Sequence, residues 1–588
     1  MNHISIQRLK LFTSLLVLSG LAAAQSSKMS AELQGVNGST PVRVIVRYSH
    51  VPTAADHARV CGQDCQFRKH LQSAAAGAYT LPASALSDVA NDAAVTHISL
   101  DHAIGARLDY ATAATNATIT QEWGVIGTGV GVAVIDSGIS PGADFGSRIV
   151  YKQDLTGGDG QDPFGHGTHV AGIIGGSGAN SSCSTCKRHL KGMAPGANLI
   201  NLRVLDQSGQ SSDSLVIQAI DTAIALKSRY NIRVINLSVG RPVFESYTQD
   251  PLCQAVEAAW KAGIVVVVAA GNDGRLNTVN NNGYGTINSP GNDPYVITVG
   301  AMKPEQTYSR TDDQLASYSS KGPSLIDNVV KPDLVAPGNN IVSVLASPSA
   351  ALAVASPVNV VTTQYYNSAG SPAKSPYYMV LSGTSMAAAA ASGAVADLLQ
   401  AQPALTPDQV KARLMLTSYK SFPSMSVATD PTTGQSFTDY YDLLSRGAGY
   451  LDLEAALLSS VVANGPALSP TVQFNTQQHT LALLCQAQSA WSVAGASGAL
   501  TPTNVWGSTA VASNKLIATY ETAAVVDAAG AVDTGLSAAW NTSAAWNTSA
   551  VWNTSAVWNT SAVWNTSSIE STSAVWGTAN TISLFGEQ

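Results

Sequence analysis

Three side chains that could share one proton-transfer task lie far apart in this chain, in the order Asp136, His166, Ser385. Ser385 stands in Ser382-Gly383-Thr384-Ser385-Met386, ahead of an alanine run at 387–391 and then Ala394-Val395-Ala396-Asp397-Leu398-Leu399. Alanine and leucine favour helix, so a helix is expected to begin at or just before Ser385. Its hydroxyl then sits among unpartnered N–H groups at the positive end of a helix dipole, where negative charge developing in attack on a carbonyl is stabilised. Taken alone, a capping serine before a buried helix explains the residue as well. His166, however, lies between glycines in Gly165-His166-Gly167-Thr168-His169, which leaves its ring approachable, and Asp136 closes the apolar run that starts at Val130. An aspartate that orients an imidazole, an imidazole that takes and returns a proton, and a hydroxyl that forms an acyl intermediate make a covalent hydrolysis route. The side-chain amide of Asn272 and the Ser385 N–H are the candidate oxyanion donors. His166 and His169, three residues apart, also admit a metal reading, but no third ligand stands at a fitting spacing.

Such residues need a scaffold that gathers them. Val130-Gly131-Val132-Ala133-Val134-Ile135 ends at Asp136, Val234-Ile235 at Asn236, and the run from Ile264 to Gly271 at Asn272. These runs are too continuous for half-exposed strands and suit a parallel sheet covered on both faces. Helices are expected between them at about 212–227, with Leu215, Ala219, Ile220, Ala223 and Ile224 on one face, and from Asp250-Pro251 to Gly263. Thr406-Pro407-Asp408-Gln409 reads as a capping box. Alternation of strand and helix predicts an α/β fold, a doubly wound, mostly parallel sheet, with Asp136, Asn236 and Asn272 at the carboxyl ends of strands where ligand crevices form.

Val134-Ile135-Asp136-Ser137-Gly138, His166-Gly167-Thr168-His169-Val170-Ala171-Gly172 and Gly383-Thr384-Ser385-Met386-Ala387 resemble the three catalytic blocks of the subtilisin-like serine peptidases, the subtilases. Five further stretches are similar, among them Gly192-Met193-Ala194-Pro195-Gly196-Ala197 and Lys331-Pro332-Asp333-Leu334-Val335-Ala336-Pro337-Gly338, so the resemblance spans roughly residues 120 to 455. It implies a serine endopeptidase of broad specificity acting on proteins or peptides, with Asp136, His166 and Ser385 as triad and Asn272 as oxyanion donor. It further implies that Ser238-Val239-Gly240 and Ala269-Ala270-Gly271 line the cleft and pair with an extended substrate as an added strand. Asp273, next to Asn272, is expected at a pocket rim that favours basic or polar side chains. One departure stands out: Ala389-Ala390-Ala391 occupies the place where the family usually has a proline, and a slightly less rigid helix start with retained activity is expected. No cofactor is implied for catalysis, and the family's structural calcium is admitted by resemblance alone, since no EF-hand loop or comparable carboxylate cluster appears.

The ends of the chain carry separate expectations. Residues 1–24 hold Arg8 and Lys10, an apolar run from Leu11 to Leu18 and Ala22-Ala23-Ala24, the pattern of a cleaved secretory signal, and the run is too short for a transmembrane anchor. Its removal takes two positive charges and no acid, moving the net charge from −7 to −9. No basic run suggests nucleic acid. Residues 25–115 are expected to form a small α+β unit with strands at 42–48 and 95–100, helical composition at 56–78 and a helix at 84–91, ending in an exposed linker between Asp101 and Trp123. By resemblance this unit is an inhibitory propeptide that helps folding, caps the cleft and is removed by self-cleavage. The peptidase domain then covers 116–460, with a C-terminal extension at 461–535. Cys61 with Cys65 and Cys183 with Cys186 are expected to form local disulfides, a zinc or redox role for Cys183, Cys186 and His189 being weighed against the latter pair. Cys253 is expected in the core, and Cys485 has no assigned partner. In the tail, 536–588, tryptophans recur every six residues from Trp540 to Trp564. In an extended chain they would share one face, as a ladder or a sticky surface that binds a partner, against the alternative of a disordered low-complexity segment.

Overall fold

Strand runs and helical segments alternate through the middle of the chain as the hydrophobic pattern demands. The computed structural model describes residues 28–30, 33, 41–61, 65–100, 110–276, 281–430, 433–475, 480–491, 500–507, 525–526 and 532–533. The proposed signal segment and the tryptophan repeats lie outside the described residues. The chain divides into two units, residues 1–105 and 106–588.

In the first unit, β1 (Pro41–Tyr48), β2 (Gln66–Leu71), β3 (Ala76–Pro82) and β4 (Val95–Leu100) form an antiparallel sheet in the order β2-β3-β1-β4. It carries α1 (Ala54–Val60), whose Thr53 and Asp56 make a capping box, and α2 (Leu86–Asn91). Val44, Val46, Tyr79, Leu81 and Ile98 are buried at its core. The helix expected across 56–78 is corrected: helix stops at Val60, Cys61 and Cys65 are disulfide-bonded, and the described residues from Gln66 on form β2, a 3-10 turn at Gln72–Ala74 and the start of β3. Small side chains there serve sheet packing, with Ala76 and Ala78 buried, so tertiary pairing overrides alanine's helix preference. His57 is buried between the Tyr79 hydroxyl at 2.6 Å and His70 at 3.0 Å.

The second unit begins with α3 (Tyr110–Ala114) and α4 (Ala117–Glu122). Ala111, Ala114 and Ala117 are buried, so over residues 110–122 the expected exposed linker is replaced by packed helix. Eight strands make the main sheet: β5 (Gly131–Asp136), β6 (Ile149–Asp154), β7 (Asn198–Arg203), β8 (Ile232–Leu237), β9 (Val265–Ala269), β10 (Ile297–Lys303), β11 (Gln314–Leu315) and β12 (Leu334–Pro337). Their order is β11-β10-β9-β8-β5-β7-β6, with β12 also on β10, and every pairing but β10 with β11 is parallel. From β5 the chain goes out to the edge strand β6, comes back to β7 beside β5, then crosses to β8 on the other side of β5 and continues to β9 and β10. The reversal between β5 and β8 is where such sheets open a crevice.

Four helices cover this sheet: α5 (His166–Gly175) packed on α8 (Thr384–Ala401), and α6 (Asp213–Tyr230) packed on α7 (Pro251–Lys261). Asp250 caps α7 through the Leu252 N–H, and the expected Thr406–Gln409 capping box starts α9 (Pro407–Thr417). Ala389, Ala390 and Ala391 are fully buried within an uninterrupted α8, so alanine serves where the family usually has proline. Asp397, on the same helix, is buried with both carboxylate oxygens lacking a hydrogen-bond partner, and burial raises its pKa well above the carboxylate range. Folded protein therefore holds the neutral acid while the unfolded chain ionises above about pH 4. The stability this proton confers is present in acid and lost as pH rises, so Asp397→Leu is expected to raise Tm, by a margin that widens from pH 4 to pH 8. A margin constant across that range in calorimetry would refute this.

A second core extends past residue 460. Trp491, Leu500, Val505 and Trp506 are buried together with Tyr284, Val330, Met415 and Leu444 of the preceding chain. The Trp491 indole donates to the Leu468 carbonyl at 2.7 Å, and Ser469 donates to the buried carboxylate of Asp333 at 2.5 Å.

Candidate active site

Asp136 ends β5, and its buried carboxylate accepts from His166 Nδ1 at 2.7 Å and from the Ser137 N–H at 2.7 Å through the same Oδ1. A carboxylate oxygen only accepts, so Nδ1 carries the proton and, in the neutral ring, Nε2 holds the lone pair. The start of α5 that carries His166 is clamped from two sides. Ser137 Oγ accepts from the Gly167 N–H at 2.8 Å and donates to Asp162 Oδ1 at 2.8 Å. Asp162 also accepts from the Gly165 N–H at 2.7 Å and the Thr168 N–H at 2.8 Å, which satisfies orphan donors of the first helical turn. Burial raises the Asp162 pKa against the lowering effect of these bonds. Gly167 has to be glycine for closeness: a Cβ there would lie 2.3 Å from the Gly138 carbonyl oxygen.

Asp162 escaped the sequence reading. An acid four residues before a histidine that opens a helix is the signal that could have found it. Asp162→Ala is expected to cost about 1–3 kcal/mol of stability and to lower kcat more than it raises KM, as checked by denaturant unfolding and steady-state kinetics. An unchanged kcat would show that the clamp is irrelevant to His166.

Ser385 is the second residue of α8, directly after Gly383 and Thr384. Gly383 has φ +150°, a backbone conformation that side-chain-bearing residues rarely adopt, and its N–H is held by the Gly338 carbonyl at 2.8 Å. The Ser385 hydroxyl donates to the Ser238 carbonyl at 3.3 Å, while Ser238 Oγ donates to the Ser385 carbonyl at 3.1 Å. Asn236 sits deeper than the crevice expected of it: Nδ2 donates to Ser238 Oγ and Oδ1 accepts from Ser392, both at 2.9 Å, which ties β8 to α8.

Asn272 follows β9. Its side-chain oxygen accepts from the Thr384 N–H at 2.9 Å and the Thr384 hydroxyl at 3.1 Å. Because a backbone N–H can only donate, the atom facing it is the oxygen, and Nδ2 is the amide's remaining, donating atom. A Cβ on Gly383 would come within 3.3 Å of that nitrogen, so Nδ2 lies beside the turn that presents Ser385.

The two expected cleft walls differ. Among the described residues, neither Val239 nor Gly240 has a backbone hydrogen bond, so Ser238-Val239-Gly240 is an open edge. Ala270 instead donates to Val299 and accepts from Asn288, and Gly271 donates to Thr384 Oγ1 and accepts from Ser320. Ala269-Ala270-Gly271 is therefore a wall, and the pairing expected along it is corrected for Ala270 and Gly271, whose donors are already engaged. Asp273 is partly buried and accepts from Asn288 at 3.1 Å, and burial raises its pKa to about 6.

His169 does not join His166 as a ligand. It is buried, Nε2 donates to the Ile341 carbonyl at 3.1 Å, and burial next to His166 lowers its pKa to about 3. Cys183 and Cys186 are disulfide-bonded, which removes both from a zinc or dithiol site, whereas Cys253 is buried and free. Among the described residues no group of three or more His, Cys, Asp or Glu could hold a metal ion.

The family model described as the subtilase family matches residues 127–449, which holds every residue of this site. The chain belongs to the subtilase family. This subtilase is 38% identical to the serine protease AprX of Bacillus subtilis (strain 168) over 344 residues, 56% of this chain and 70% of that one. It is 30% identical to subtilisin E of the same organism over 420 residues, 70% of this chain and 93% of the relative. The extracellular serine proteinase of Thermus sp. (strain Rt41A) is 32% identical over 353 residues, 58% of this chain and 69% of that one. It is accordingly a serine endopeptidase with peptide substrates. No helix among the described residues is long and apolar enough to cross a membrane.

Proposed function

We propose that this subtilase is an exported, self-processed endopeptidase of broad specificity that cleaves peptide bonds through Asp136, His166 and Ser385. The observation that carries the reading is the buried 2.7 Å contact from His166 Nδ1 to Asp136, which leaves Nε2 as the basic atom, on a helix packed against the one that begins beside Ser385. Ser385 Oγ attacks the scissile carbonyl while Nε2 takes its proton. The oxyanion forms against Asn272 Nδ2 and the Ser385 N–H, which lies in the first helical turn where N–H groups lack helical partners. Imidazolium, stabilised by Asp136, returns the proton to the leaving amine, and water then opens the acyl-enzyme by the same route reversed. The substrate runs along Ser238-Val239-Gly240, where the backbone groups of Val239 and Gly240 can accept an added strand.

Export is supported by the composition of residues 1–24 and by two disulfides, which persist in oxidising compartments. Residues 25–115 serve as folding helper and intramolecular inhibitor, a role that suits a parallel sheet rich in non-local contacts and slow to form. A fluorophosphonate probe tests the reading: the adduct is expected on Ser385 alone, with casein hydrolysis lost in step. Labelling elsewhere, or hydrolysis that survives full labelling, would reject it.

A further inference from the structure

A hairpin outside the catalytic sheet, β13 (Met425–Thr429) paired with β14 (Ser436–Tyr440), has an edge with no neighbouring strand among the described residues. At its two ends the Asp430 N–H donates to the Gln435 carbonyl at 2.8 Å and the Tyr441 N–H to the Ser424 carbonyl at 3.2 Å. Antiparallel ladders bond every second residue, so the even-numbered residues of β13 face β14, and the N–H and C=O groups of Met425, Val427 and Thr429 point away from it. The same three residues send their side chains to one face, where Met425 is 48% and Val427 49% exposed, while Ala428 and Asp439 on the other face are buried. Open strand edges are ordinarily guarded by charge, by proline or by a covering segment. Met425-Ser426-Val427-Ala428-Thr429 has neither charge nor proline, which leaves a covering segment.

We propose that the covering segment is the tryptophan repeat of the same chain, added to β13 as a third strand. The chain leaves the second core at Gly507, where a Cβ would lie 4.0 Å from the Arg446 guanidinium. Arg446 donates to the Trp506 carbonyl and to the Tyr441 carbonyl, both at 3.3 Å, and Tyr441 closes the base of the hairpin, so the tail starts beside β13. Trp540 follows on a stretch long enough to reach any point of the hairpin, at roughly 3.3 Å per extended residue. Residues 537–568 hold no charge, proline or glycine, and their even period of six puts each tryptophan, with Thr and Ala, on one face of an extended chain. Pairing satisfies the outward groups of β13 and lays an indole against Met425 and Val427, a thioether on an aromatic ring being a favoured contact. A strand as short as β13 seats one hexapeptide at a time, so the repeated copies act as alternates that raise the local concentration of a weak ligand.

The test uses the full chain carrying Ser385→Ala, confirmed intact by mass so that no self-cleavage has removed the tail. Hydrogen exchange is expected to be slow at the amides of Met425, Val427 and Thr429. It should be at least about tenfold faster once Trp540→Ser, Trp546→Ser, Trp552→Ser, Trp558→Ser, Trp564→Ser and Trp576→Ser are combined, a change that leaves both cores untouched. Val427→Lys, which puts a charge on the exposed face, should speed chymotrypsin cleavage after the repeat tryptophans by a similar factor while Tm stays at the parent's. Fast exchange in the parent, or slow exchange that survives the serine substitutions, overturns the proposal. Protection that grows with protein concentration overturns it as well, since a second copy would then be the occupant of the edge.

Discussion

Ser385→Ala is expected to lower kcat/KM by roughly 10⁵- to 10⁶-fold, the scale on which a subtilisin-type triad fails without its nucleophile. His166→Ala should cost about as much, and the double variant no more than either. The two residues act as a unit: without the hydroxyl there is no proton for Nε2 to take, and without Nε2 the hydroxyl is a poor nucleophile. Asn272 separates from them. Asn272→Asp keeps an oxygen for the Thr384 N–H, now 2.9 Å from Oδ1, but supplies no donor to an oxyanion. A fall in kcat of at least about 10²-fold with Tm held near the parent would assign the loss to the missing donor. Near-parental hydrolysis by Ser385→Ala, in preparations free of parent enzyme, would end the triad reading.

Ending the chain after residue 460 is expected to prevent accumulation of folded protein, whereas ending it after Gly507 should not. The first cut strips Trp491 and Trp506 from a core they share with Tyr284, Val330 and Met415, and removes the Ser469 bond to buried Asp333. Trp491→Ala or Trp506→Ala alone should cost about 3–5 kcal/mol in denaturant unfolding, a large part of the roughly 5–15 kcal/mol that holds a domain together. The two rings meet edge-on with centroids 5.3 Å apart, so their losses should not add independently. A chain of residues 1–460 that melts like the full protein would show that this second core is dispensable.

Much of the scaffold was readable because its signals are local. β5, β8 and β9 announce themselves as continuous apolar runs, which strands buried on both faces must be. Asp250 and Thr406 mark helix starts by side chains that cap within three residues. Other stretches misled where packing outvoted propensity. Ala and Thr at 110–122 looked like linker but bury Ala111, Ala114 and Ala117, and the alanine-rich end of 56–78 became β3 because small side chains fit that sheet.

Local sequence could name the reacting groups and their order: an aspartate closing an apolar strand, a histidine between glycines, a serine before an alanine helix. Residue type and immediate neighbours suffice for that, since they state which side chains can donate, accept or attack. Orientation required the folded chain. That the proton sits on His166 Nδ1, that Thr384 turns the Asn272 amide, and that Asp162 and Ser137 clamp the start of α5 depend on bonds between residues 6 to 112 positions apart. Apart from the Asp162 bond to Thr168, six residues on, these hydrogen bonds form only after the fold has brought distant segments together, and no short window of sequence contains both partners.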